Sequence, residues 1–146
     1  MSSVSSPLTL PRLLFLLSNL FYSIGAFLAD WSETHVLNPR WPPHAKFHNG
    51  QTMTLGMLLA GASLYYAFRP TQTVPQAREN AFAAALVGSF YCAAGVAAIF
   101  FPGTDWNDPE FEKPPQDVMF SVQVVVVWVA YALERRRLED LERKSV

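Results

Sequence analysis

The chain of 146 residues holds a single cysteine, Cys92, so no disulfide can close within it. The position of Cys92 inside an apolar run assigns it to packing rather than redox chemistry. Charge is also scarce: Asp, Glu, Lys and Arg make up 16% of the residues and the formal net charge is −1. No stripe of Lys and Arg interleaves with aromatic residues, which excludes a nucleic-acid-binding surface. The sequence lacks G-x-S-x-G, a P-loop, a dinucleotide fingerprint and H-E-x-x-H, so the common chemistries of soluble enzymes find no footing. No cofactor and no metal are expected.

What is present is apolar. Hydrophobic residues reach 51% and aromatics 14%, a bias few soluble domains share. Four apolar runs stand out, Leu13 to Ala29, Thr52 to Phe68, Ala81 to Phe101 and Val118 to Leu133. A bilayer core takes about 20 helical residues. The fold expected is therefore all-α, a four-transmembrane-helix antiparallel bundle forming one integral membrane domain over residues 1–146, with spans near 12–34, 44–68, 80–101 and 117–137. A soluble bundle would leave little polar helix surface for water. A secretory signal peptide, the rival reading of the first run, lacks an A-x-A cleavage pattern.

Gly56, Ala60, Gly61 and Ala62 in the second run, and Gly88 and Gly95 in the third, suit close helix approach in lipid. Tyr65, Tyr66 and Phe68 fall where an interfacial aromatic belt lies. With four spans, Arg12, Arg69, Arg78, Arg135, Arg136, Arg137, Arg143 and Lys144 share one side, against Arg40, Lys46 and Lys113 on the other. The positive-inside rule then places both termini in the cytosol. The first loop, and the acidic loop with Asp105, Asp108, Glu110, Glu112 and Asp117, are then expected to face the lumen or the exterior, with the endoplasmic reticulum as the expected membrane. Glu79-Asn80 opens the third helix as a cap.

The stretch Asp30 to Gln51 gathers the reactive groups. Continued past Ala29, the first helix lines up Asn19, Ser23, Asp30 and Glu33 or Thr34 near one face, with Asp30 and Glu33 as neighbours. Of two close carboxylates, one can act as acid and the other as base. The plainer reading is a pair of helix-end carboxylates in headgroup water. His44 and His48, four apart, share a helix face that Gln51 continues. With His35 they are expected to hydrogen-bond or move protons rather than hold a metal. Three prolines stiffen Asn38-Pro39-Arg40-Trp41-Pro42-Pro43, and Arg40 is expected to pair with Asp30 or Glu33 or to anchor a substrate oxygen. Candidate catalytic residues are thus Asp30, Glu33, His35, His44 and His48. Candidate substrate-binding residues are Asn38, Arg40, Trp41, Lys46, Gln51 and Asp117. No polar residues are expected to carry the stripe to the cytosolic end.

Asp30-Trp-Ser-Glu-Thr-His-Val-Leu-Asn-Pro-Arg-Trp-Pro-Pro-His-Ala-Lys-Phe-His-Asn-Gly resembles the signature of a family of small four-helix membrane proteins of unknown function from fungi and bacteria. Some small fungal membrane proteins of this kind are similar to cyclases, isomerases and epoxide hydrolases acting on polyketides or meroterpenoids. The sterol-isomerase-like membrane family is similar in architectural logic, with acidic residues in a membrane cavity, but its motif differs. The resemblance implies a membrane-embedded acid/base enzyme performing redox-neutral isomerisation, cyclisation or epoxide opening. Its expected partners are a lipophilic small molecule, membrane lipids and a second copy of the chain. The competing expectation is a non-enzymatic lipid-binding or assembly protein.

Overall fold

A computed structural model describes residues 8–111 and 115–144; Glu112 and Lys113 of the acidic loop lie outside the described residues. Four helices carry the chain: α1 (Leu10–Asp30), α2 (Pro43–Phe68), α3 (Val74–Ala98) and α4 (Gln116–Lys144). No strand occurs among the described residues.

Each helix starts and stops for a local reason. The Thr9 hydroxyl accepts the Arg12 amide at 3.4 Å and Pro11 occupies the first turn of α1, where a missing N–H costs nothing. α1 ends at Asp30 rather than running through Glu33. There the Ser32 hydroxyl donates to the Ala29 carbonyl at 2.7 Å, and the amides of Val36 and Leu37 turn back to the carbonyls of Asp30 (3.1 Å) and Ser32 (2.9 Å). A short hydroxyl side chain competing for a helix carbonyl is what breaks the ladder. Pro43 opens α2, and Pro70 pushes Arg69 into extended backbone (ψ 140°) to close it.

α3 begins six residues before the expected span edge at 80, because Thr73 accepts the Gln76 amide at 3.3 Å and Pro75 fits the first turn. Glu79 and Asn80 therefore lie inside α3, and Thr73 is the cap. Past Ala98 the helix gives way to a turn through Gly103 (φ 75°). The Thr104 hydroxyl there lies 3.1, 3.2 and 2.8 Å from the carbonyls of Ala98, Ile99 and Phe101. α4 runs unbroken from Gln116 to Lys144, so the charged tail extends the last span instead of forming a separate helix. Its 29 residues make about 44 Å at 1.5 Å per residue, longer than a hydrocarbon core of about 30 Å.

The helices pack as an antiparallel ring in which α1 and α3 each touch α2 and α4. Contacts along the helices fix the directions. Arg12 of α1 lies over the Phe68 ring at the end of α2 (5.8 Å) and 4.0 Å from Glu134 of α4. Near the opposite end, Tyr22 stacks on Tyr91 of α3 at 5.3 Å. Starts of α1 and α3 and ends of α2 and α4 thus share one end of the bundle, which we call the arginine end. The first and third loops share the other.

The polarity of the bundle is inverted relative to a soluble protein. Around a few large buried side chains, Phe15, Tyr22, Met53, Val127 and Leu138, its interior is filled by small and polar residues: Ala60, Ala67, Ala81, Ala84, Ala85 and Ala130, with Asn19, Ser63 and Gln123 at 4% exposure or less. Its exterior carries Leu17, Phe21, Ile24, Leu28, Leu58, Phe90, Val125 and Val129, each at least 45% exposed. Close backbone approach through small residues and a lipid-facing apolar coat are the packing rules of membrane helices. Three helices, α1, α3 and α4, are long and apolar enough to cross a membrane. α2 is as long, but His44, Lys46, His48, Asn49 and Gln51 fill its first turns.

Candidate functional site

The first loop folds around the end of α1. The Asp30 side chain is 16% exposed and holds two partners. Its Oδ2 accepts from the Asn49 amide of α2 at 2.9 Å, and its Oδ1 lies 3.8 Å from His35 Nε2. His35 is fixed from two directions, by Thr34 Oγ1 at 2.7 Å from Nδ1 and by the edge of Trp41 at 5.2 Å between centroids.

Proton counting assigns the His35 tautomer. The Ser32 hydroxyl spends its hydrogen on the Ala29 carbonyl, and Thr34 Oγ1 lies 2.7 Å from Ser32 Oγ. Thr34 therefore donates to Ser32, and His35 Nδ1–H donates to Thr34. Nε2, which carries no hydrogen in this tautomer, is left facing Asp30 Oδ1 at 3.8 Å.

The other candidates separate. Glu33 is exposed in the turn, off the helix, so the expected acid/base pairing of Asp30 with Glu33 on a helix face does not form. His44 and His48 lie together on the exposed first turns of α2. Their Nε2 atoms are 3.0 Å apart, and His48 Nδ1 is 3.2 Å from Gln51 Oε1. With the carboxamide oxygen taking His48 Nδ1–H, His44 donates to His48, which makes this a self-satisfied surface pair.

Asn38 is 2% exposed and its Oδ1 accepts the Arg40 amide at 2.9 Å, the Asx turn expected of this residue type. Its carbonyl is thereby committed to shaping the loop. Arg40 pairs with Glu110 of the third loop and not with Asp30 or Glu33, so the two loops do cap one end of the bundle together. Trp41 supports the His35 ring. Lys46 and Gln51 border a shallow, outward-facing groove on α2 with Phe47, Leu55 and Leu58. Asp117 is exposed on the first turn of α4, where its charge favours the helix N-terminus.

Below Asp30 polar side chains recur in the interior as far as the arginine end, against expectation. Ser23 donates to the Asn19 carbonyl (2.6 Å), Tyr22 donates to Asn19 Oδ1 (3.1 Å), and Asn19 Nδ2 donates to the Phe15 carbonyl (2.7 Å). Ser18 of α1 and Gln123 of α4 exchange two hydrogen bonds, hydroxyl to Oε1 at 2.9 Å and Nε2 to the Ser18 carbonyl at 3.0 Å. Ser63 of α2 donates to the Ala84 carbonyl of α3 at 2.8 Å. At the arginine end, Glu134 is 4% exposed and takes Arg137 through both oxygens (2.8 and 2.6 Å), with Arg12 Nε 4.0 Å away.

Sequence reasoning passed over this end because Glu134 reads as the start of a solvated charge run. A usable signal was the spacing of Gln123, Val127, Ala130, Glu134 and Leu138, which puts Glu134 on the buried face of α4. Asn49 and Glu110, the partners of Asp30 and Arg40, carry no local signal, because both contacts are tertiary.

Among the described residues, no cluster of three or more His, Cys, Asp or Glu side chains is arranged to hold a metal ion. Comparison with curated proteins and with solved structures gives no match. A family model does match, over residues 16–144, from the second turn of α1 to the end of α4. In keeping with the resemblance of the first loop, the chain belongs to that family, a family of unknown function, DUF6640.

Proposed function

We propose that this protein is a membrane-embedded acid/base enzyme that acts on a lipophilic small molecule by redox-neutral isomerisation, cyclisation or epoxide opening. The observation that carries the reading is the Asp30–His35 pair. One carboxylate oxygen is fixed by Asn49, the other faces an imidazole nitrogen whose ring Thr34 and Trp41 hold in place. A positioned acid and base at the edge of an apolar phase is what proton-transfer chemistry on a lipid-soluble substrate requires.

In the epoxide version the imidazolium form of His35, carrying a second proton on Nε2 beside the one on Nδ1, gives the Nε2 proton to the ring oxygen as a C–O bond breaks. A water or a substrate hydroxyl attacks the carbon and loses its proton to Asp30, which returns it to His35. Glu33, His44 and His48 play no direct part. α2 lies lengthwise between α1 and α3 and crosses the bilayer with them, its polar first turns at the surface. The excess of Arg at the other end supports a cytosolic position for it, with the Asp30 site on the lumenal face of the endoplasmic reticulum.

The test uses purified protein in detergent with a panel of long-chain and polycyclic epoxides in 18O-labelled water, with product isotope content and isomer composition as readouts. Turnover should vanish in Asp30→Asn and His35→Ala and persist in His44→Ala. Unchanged turnover in the first two variants would sink the proposal.

A second reading has its own observation. Asp30–Asn49 ties α1 to α2, and Arg40–Glu110 ties the first loop to the third, as a structural cap would. Under this reading the same variants lose stability and no substrate is ever turned over.

A further inference from the structure

We propose that the arginine end of the bundle is a binding site for a phosphate oxyanion presented by a membrane lipid. The argument starts from unmet donors. Asn80 is 4% exposed, and its Oδ1 accepts from Arg69 Nη2. That contact fixes the amide orientation, because a guanidinium nitrogen can only donate. Asn80 Nδ2 is then a buried donor without a protein partner among the described residues, and so is Arg69 Nε. Both residues line a cavity of about 10 Å³ with Arg12, Thr71 and Glu134, room for one oxygen atom or one water. Buried donors left unmet are costly, and both residues that carry them border the same space.

Charge selects the occupant. Three guanidinium groups, those of Arg12, Arg69 and Arg137, stand around one carboxylate, Glu134. Both Glu134 oxygens are already taken by Arg137. The site is rich in donors and poor in acceptors, the composition that recognises phosphate.

Position in the bundle selects the source. Arg69 lies over the rings of Tyr65 (5.7 Å) and Tyr66 (5.1 Å), and Arg12 over Phe68 (5.8 Å). Aromatic side chains joined to arginines at the ends of long apolar helices mark the headgroup level, where lipid phosphates are concentrated. One phosphate oxygen entering the cavity would accept from Asn80 Nδ2 and Arg69 Nε, and its charge would complement the Arg69 guanidinium, which meets the neutral Asn80 amide and the rings of Tyr65 and Tyr66.

The experiment measures ligand-induced thermal stabilisation of the full chain in nanodiscs of phosphatidylcholine alone, or of phosphatidylcholine with phosphatidic acid. A parallel arm titrates inorganic phosphate into the detergent-solubilised protein. Phosphatidic acid should raise the Tm of the wild type, and Asn80→Ala and Arg69→Gln should weaken binding at least about tenfold, the worth of one charge-assisted hydrogen bond. Asn80→Asp, which keeps a partner for Arg69 while repelling an anion, should fold and lose the response. Arg136→Gln, an exposed arginine of α4, should retain it.

Saturable stabilisation by inorganic phosphate, lost in Asn80→Asp, upholds the oxyanion site and moves its source from lipid to free anion. The proposal is overturned if Asn80→Asp responds like the wild type. It is equally overturned if Arg136→Gln loses the response as fully as Arg69→Gln, or if neither phosphate source stabilises the wild type.

Discussion

The close approach of α2 and α3 at Gly88 yields a prediction whose size can be worked out. A Cβ placed on Gly88 of α3 would lie 2.7 Å from Ser63 Oγ, 3.3 Å from Asn19 Oδ1 and 3.4 Å from Ser63 Cβ. The first distance is a clash. Ser63 can relieve it by rotating its hydroxyl, but only by abandoning the 2.8 Å bond to the Ala84 carbonyl. That bond is worth about 0.6 to 1.7 kcal/mol between helices in a membrane, and overpacking adds about 1 kcal/mol or more. Against this, alanine gains up to about 1 kcal/mol over glycine in helix propensity.

Gly25 provides the reference, since nothing lies within 4 Å of a Cβ built there. The difference between Gly88→Ala and Gly25→Ala isolates the steric cost, expected at about 2 kcal/mol of lost stability. In a Ser63→Ala background the 2.7 Å contact is gone and the nearest obstacle becomes Asn19 Oδ1 at 3.3 Å, so the penalty should fall by about half or more. Reversible unfolding in mixed detergent micelles, followed by circular dichroism, gives the four free energies of the cycle. Strict additivity of Gly88→Ala and Ser63→Ala would refute the reasoning.

Other outcomes follow from the same packing. Removing the Glu134 side chain by Glu134→Ala leaves Arg12 and Arg137 facing each other at a buried site and should cost about 3 kcal/mol in the same unfolding assay. Arg40→Ala should cost no more than about 1 kcal/mol, because the Arg40 and Glu110 side chains are 66% and 41% exposed. Cys92, at 1% exposure, should resist a membrane-permeant maleimide in the folded protein and react fully once unfolded, as read by intact mass.

The helix count and pairing directions were legible because they depend on local signals: apolar run length, proline at first turns and short polar connectors. The stripe Asn19, Ser23 and Asp30 was equally legible, since helical spacing alone sets it. Glu33 was misplaced because a hydroxyl at Ser32 took a carbonyl the helix needed, a competition that spacing does not reveal. Arg40 found Glu110 across 70 residues of chain, and that choice belongs to the assembled loops. Glu134 was hidden for another reason: charge run and buried face coincide there, and residue type argued against burial while periodicity argued for it.

The pairing of Arg40 with Glu110 has a mechanical consequence. α1–α2 and α3–α4 are two hairpins, and the chain joins them only through residues 69–73, at the arginine end. At the loop end they are buttoned by one exposed ion pair among the described residues. The protein is therefore sewn shut at one end, while at the other the Arg40–Glu110 pair that salt screens, with a Debye length of about 8 Å at physiological ionic strength, adds to the stacking of Tyr22 on Tyr91. Splaying of the hairpins is easier at the end that carries Asp30 and His35, where no chain segment joins them, and ionic strength weakens one of the contacts that oppose it.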